Sequence, residues 1–86
     1  MIKAISVKVL EDYRLWVGFA NGENRIFDVK PHLVGTWFSD LMDKEIFKTV
    51  HIAGLSVEWA GGQDICPDEL YENSISVNEE GKILKL

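Results

Sequence analysis

Residues 15–29 read LWVGFANGENRIFDV, and the way this stretch reverses decides how the rest of the chain folds. Two apolar, β-prone runs flank Asn21-Gly22, a dipeptide that supplies the positive φ of a tight reversal, so the stretch predicts a β-hairpin. Parity selects the loop. A two-residue turn at Asn21-Gly22 would pair Ala20 with Glu23 and put Leu15, Val17 and Phe19 on the same face as Asn24, Ile26 and Asp28, splitting the apolar set. A three-residue loop, Ala20-Asn21-Gly22 with Gly22 left-handed, collects Leu15, Val17, Phe19, Phe27 and Val29 on one face instead. The bulged loop is therefore the expectation.

Before the hairpin, Ile5, Val7 and Val9 alternate with Ser6 and Lys8, which predicts a half-buried strand over residues 2–10 with those three apolar side chains inward. The polar link at 11–14 is short. A strand over 15–19 then returns beside the first, and one over 24–29 completes a three-stranded meander that Pro31 ends. Residues 32–39, HLVGTWFS, predict a helical turn followed by a loop. Asp43 is the expected N-cap of a helix over 44–50, with Ile46, Phe47 and Val50 at helical spacing. So short a helix persists only when packed.

Residues 51–53 and 55–59 suit two short strands around Gly54 or one bent strand, and Gly61-Gly62 makes a turn. Cys66 at the N-cap, Pro67 at the first helical position, and Asp68 and Glu69 near the positive end of the helix predict a helix of barely two turns. Ile75 and Val77 alternate, residues 78–81 turn, and Ile83, Leu84 and Leu86 complete a C-terminal hairpin. The expected fold is a single α+β domain over residues 1–86, an antiparallel β-meander packed with short helices.

At 86 residues the chain hides only about 60–65% of its unfolded surface, so its core is thin. The net charge is −5, and the nine Lys and Arg residues are scattered. Clustered positive charge is what phosphate binding needs, so the scatter argues against an autonomous nucleic-acid binder. One cysteine forms no intramolecular disulfide and suits a reducing cytoplasm. No signal peptide and no apolar run near the ~20 residues of a membrane span are visible. The expectation is a soluble cytoplasmic protein without a membrane partner.

No catalytic, cofactor or metal motif stands out. A thiol at a helix N-terminus can become nucleophilic, but Asp64, Asp68 and Glu69 surround Cys66 in sequence and disfavour its thiolate, so it reads as a buried or capping residue. His32, His51, Asp64 and Cys66 lack ligand spacing. The acidic pairs Asp40 with Asp43, Asp68 with Glu69, and Glu79 with Glu80 read as helix starts and solvated turns. Gly61-Gly62 is followed by no Lys-Ser or Lys-Thr helix start and is no phosphate loop.

The tryptophans are more informative. Trp16 lies opposite the core set, beside Ile26, so the second face of the sheet needs a cover: the C-terminal hairpin, a second copy of the chain, or another protein, in that order. Trp37 and Trp59 read as core fillers that are also able to line a pocket. Trp16, Ile26, Trp59 and Asp64 make up the expected interaction surface.

The chain also resembles a known family. The matching pieces are Ala4-Ile5-Ser6-Val7, Tyr13-Arg14-Leu15-Trp16-Val17 with Phe19 and Asn21-Gly22-Glu23, and Phe27-Asp28-Val29-Lys30-Pro31. Ile46-Phe47 before Val50, Val57-Glu58-Trp59, and the run from Asp64 through Ile65-Cys66-Pro67-Asp68-Glu69-Leu70-Tyr71 to Glu72 follow in order. Together they resemble the small prokaryotic domain-of-unknown-function family 2442 over residues 2–72. The resemblance implies a compact α+β domain of strands on short helices and carries over no catalytic residue or cofactor. It also implies a neighbouring gene for a second small protein, as in toxin–antitoxin pairs.

Two readings follow. The first is a non-enzymatic protein-interaction module, the antitoxin-like member of a two-gene pair, with a homodimer as a further assembly. The second is a small-molecule-binding or hydrolytic domain with a pocket near Trp59, Asp64 and Cys66.

Overall fold

In the computed structural model, which describes residues 1–84 and the side chains of all of these except Thr36 and Trp37, the central loop takes the bulged form. Phe19 N–H donates to Glu23 O and Gly22 N–H to Phe19 O, both at 2.9 Å, with Gly22 at φ +90°. Strand β2 (Arg14–Phe19) therefore pairs with β3 (Asn24–Asp28) in the register Leu15 opposite Phe27 and Val17 opposite Arg25. Leu15, Val17, Phe19, Phe27 and Val29 are all buried, at no more than 2% exposure. The same pair of main-chain bonds recurs at Trp59–Gln63 and Asn78–Lys82, where Gly62 and Gly81 take the left-handed place of Gly22. FANGE, WAGGQ and NEEGK thus encode one loop three times, a repeat legible in the glycine position.

Strand β1 (Ala4–Leu10) forms the expected antiparallel edge against β2, with one correction. Ala4 pairs with Phe19 but Ser6 pairs with Gly18, so Ile5 is an extra residue in a bulge. The bulge shifts the phase. Ala4 is fully buried and Ile5 is exposed, while Val7 and Val9 pack inward as predicted. Past the β1–β2 turn and β3, the chain winds through a 3-10 turn at Lys30–His32, helix α1 (Gly35–Phe38), a second 3-10 turn at Ser39–Met42, and α2 (Lys44–Phe47). Asp43 caps α2, its Oδ1 accepting from Glu45 N–H at 2.9 Å. The helix stops three residues early because Thr49 leaves it: its hydroxyl donates to Ile46 O at 2.7 Å and accepts from Ala60 N–H at 3.0 Å.

Strands β4 (His51–Ala53) and β5 (Ser56–Glu58) are separate and form a two-stranded hairpin around Gly54-Leu55. Helix α3 (Pro67–Glu72) starts at Cys66. Strand β6 (Ile75–Val77) then joins β3, giving a four-stranded sheet in the order β1-β2-β3-β6. The C-terminal hairpin survives as one bridge, Val77 to Ile83, and Leu84 N–H donates to Ser76 O at 3.1 Å. The domain is α+β. Its core lies between the inner sheet face and Leu41, Phe47, Val57, Trp59, Ile65 and Leu70, each at most 4% exposed. The filler role read for Trp37 and the closing position of Leu86 fall outside the described residues.

Candidate functional site

The outer face of the four-stranded sheet carries a continuous cross-strand row. Lys8 pairs with Trp16, Trp16 with Ile26, and Ile26 with Ile75. Register alone brings these residues together, because alternate side chains of each strand share a face and opposite residues pack side by side. Trp16 is half-buried: its Nε1–H donates to Asn24 Oδ1 at 3.3 Å and the Lys8 ammonium stands 5.4 Å from its ring centre. Gly81 lies on the same ring so closely that an added Cβ would sit 3.1 Å from Trp16 Cζ3. The C-terminal loop therefore covers part of Trp16, while β6 extends the face rather than capping it. Ile75, Ile83 and Leu84 remain 53%, 55% and 58% exposed.

The other expected surface residues lie elsewhere. Trp59 has no exposed area, donates from Nε1 to Phe47 O at 3.0 Å and tilts against the Phe47 ring at 5.8 Å, so it belongs to the core and to no surface. Parity explains it: Trp59 shares the inward face of Val57, two residues before it. Asp64 is exposed and bridges Glu58 at the two-stranded hairpin, away from the Trp16 row. Asp64 and Cys66, with Ser56 and Glu58, line a cleft of about 300 Å³ that Trp59 does not reach. Cys66 is exposed rather than buried, and its side chain makes no capping bond. His32 faces Glu69 at 3.1 Å and His51 Nδ1 meets Thr49 O at 3.0 Å. No group of three His, Cys, Asp or Glu side chains among the described residues is placed to hold a metal ion. No helix of the described residues is long and apolar enough to cross a membrane.

One polar cluster escaped the sequence reading. Arg25, on the core face opposite Val17, donates to Glu23 Oε1 at 2.6 Å, to Ser74 Oγ at 2.7 Å and to Ser74 O at 2.8 Å, with its guanidinium 4.4 Å from the Tyr71 ring centre. Tyr71 donates to Glu23 Oε2 at 2.5 Å. These bonds from Tyr71 and then Arg25 hold the Glu23 carboxyl below its usual range. The cluster is self-satisfied and clamps α3 and β6 to the hairpin. A lone arginine at an inward parity position was its available signal.

The family model described as Protein of unknown function (DUF2442) matches residues 4–76, from the start of β1 into β6. No curated protein and no solved structure matches the chain. A match over most of the chain, together with the α+β architecture, shows that the chain belongs to the DUF2442 family.

Proposed function

We propose that this domain is a non-enzymatic protein-interaction module that docks another protein on its outer sheet face, acting as the antitoxin-like member of a two-gene pair. The observation carrying this reading is the Trp16, Ile26, Ile75 row beside the exposed Ile83 and Leu84. Covering apolar area contributes about 25 cal/mol per Å², and a patch held on a regular sheet presents that area without further ordering. The neighbouring-gene partner is supported by family resemblance, an associational argument. The test is co-expression with the products of adjacent genes and pull-down on the tagged domain. Wild type is expected to retain a neighbour, and Ile75→Asp, at an exposed position, to weaken that complex by about tenfold or more. Retention unchanged by Ile75→Asp, or no neighbour retained, overturns the reading.

One observation favours a small-molecule site instead. The Ser56 hydroxyl is buried without a hydrogen-bond partner, on a residue 5% exposed that is among those lining the cleft with Asp64 and Cys66. A small polar ligand would satisfy it.

A further inference from the structure

The free edge of β1 is a second feature, independent of the outer face. β1 is an outer strand of the sheet. Alternation in an antiparallel ladder tells which main-chain groups point outward. Phe19 bonds Glu23, and Tyr13 accepts from Val29 N–H, so the odd-numbered residues of β2 use their main-chain groups on β3. Their β1 partners, Val7 opposite Val17 and Val9 opposite Leu15, therefore turn N–H and C=O away from β2. Ala4 does the same, and its N–H donates to Leu55 O at 3.0 Å. Among the described residues, nothing takes up the outward groups of Val7 and Val9.

That edge runs into an open groove of about 540 Å³ beside α2. Val9, Leu10, Tyr13 and Phe47 supply its apolar wall, and Lys44 and Lys48, four residues apart, stand on its rim. At the turn end Glu11 and Asp12 also line the groove, where the Asp12 carboxylate is engaged by Lys30 at 2.6 Å and Glu11 is exposed. Lys48 meets Glu45 at 3.4 Å in solvent, while Lys44 has no ion pair among the described residues. The turn that shapes this end holds two non-glycine residues at positive φ, Asp12 and Tyr13, a strain that accumulates at binding sites.

We infer that the β1 edge takes an extended segment of another protein as an added strand, one carrying an aliphatic side chain for the groove and a carboxylate for Lys44 and Lys48. Main-chain pairing at Val7 and Val9 supplies affinity, and the groove with its lysines supplies selectivity. The bulge at Ile5 and the bond to Leu55 close the edge toward Ala4, confining the added strand to residues 7–10. The Lys8 side chain lies over Trp16 on the outer face and leaves the edge clear.

The probe is an N-acetylated hexapeptide alternating valine and aspartate, added to the isotope-labelled whole chain, with the same peptide N-methylated at alternate amides as control. In the free chain the amides of Val7 and Val9 are expected to exchange with solvent faster than that of Lys8. Peptide at about ten times its Kd is expected to slow both by about tenfold, and the N-methylated control to leave them unchanged. Lys44→Glu combined with Lys48→Glu, both at exposed positions, weakens binding by about threefold or more. Protection already present in the free chain, no slowing at millimolar peptide, or equal binding of the control overturns the proposal. Protection that grows with protein concentration alone assigns the edge to a second copy and overturns it too. Ile75→Asp leaves the edge intact, so peptide binding persists in that variant whether or not the outer-face reading holds.

Discussion

The two reversals that bound β2 solve one problem by different means. At its C-terminal end the loop Ala20-Asn21-Gly22 puts the positive φ on a glycine, and Asn21 Oδ1 supports it by accepting from Glu23 N–H at 3.0 Å. At its N-terminal end the loop Glu11-Asp12-Tyr13 puts Asp12 at φ 64° and Tyr13 at φ 59°, which costs about 1–2 kcal/mol per residue. Remote groups offset that cost. Tyr13 OH donates to Met42 O at 2.5 Å, its ring meets Phe47 edge-on at 5.3 Å, its carbonyl accepts from Val29 N–H at 2.9 Å, and Lys30 Nζ reaches Asp12 Oδ2 at 2.6 Å. The first loop takes its turn geometry from its own residues, with Tyr71 bonded to Asn21 and Glu23 as a further support. The second is held by the fold around it.

Tyr13→Ala attacks the remotely held loop and carries the largest expected effect. Losing a packed aromatic ring and its hydrogen bond is expected to destabilise the domain by about 2–3 kcal/mol in chemical denaturation. A loss below about 0.5 kcal/mol would mean that the strained turn stands without those contacts.

Gly22→Val attacks the locally encoded loop. No atom lies within 4 Å of an added Cβ at Gly22, so backbone strain alone acts, and about 1–2 kcal/mol is expected. An unchanged thermal midpoint breaks the contrast.

The smallest effect is electrostatic and separates the two ends by pH. Tyr71 and Arg25 hold Glu23 below the usual carboxylate range, and the hydrogen bond and charge of Lys30 do the same for the solvent-exposed Asp12. Both folded values are depressed, so the stabilisation is present above the usual carboxylate range and is lost as pH falls through it toward the folded values. Thermal midpoints measured from about pH 6 down to about pH 2 should fall less steeply in Glu23→Gln than in wild type. Asp12→Asn should flatten the curve less, and high salt should erase its share because the pair is exposed. Equal slopes for all three proteins break the comparison.

This contrast also marks how far the chain was legible. The bulged loop, the inward set of the hairpin, the Asp43 cap and the Cys66-Pro67 helix start were readable, because each depends on φ preferences and side-chain alternation within a few residues. Of the outer face, Trp16 beside Ile26 was readable from parity, but Ile75 was not placed there. That required β6 to dock on β3 across about fifty residues of chain. Trp59 looked much like Trp16 in sequence, yet one is in the core and the other lies half-open on the sheet, since burial depends on what packs over a strand.

Local chemistry along the chain thus decided the hairpin register, the face that turns inward and the starts of α2 and α3. Strand pairing has a side-chain period of two, and a single glycine sets the loop length, so a short window carries that information. Tertiary structure alone decided the phase shift at Ile5, the tolerance of positive φ at Tyr13 and the partial burial of Arg25. It also decided the place of β6 in the sheet. Each of these rests on partners far away in sequence, such as Ser74, which lies 49 residues from Arg25. Their favourable energy appears only after the loops between them have closed.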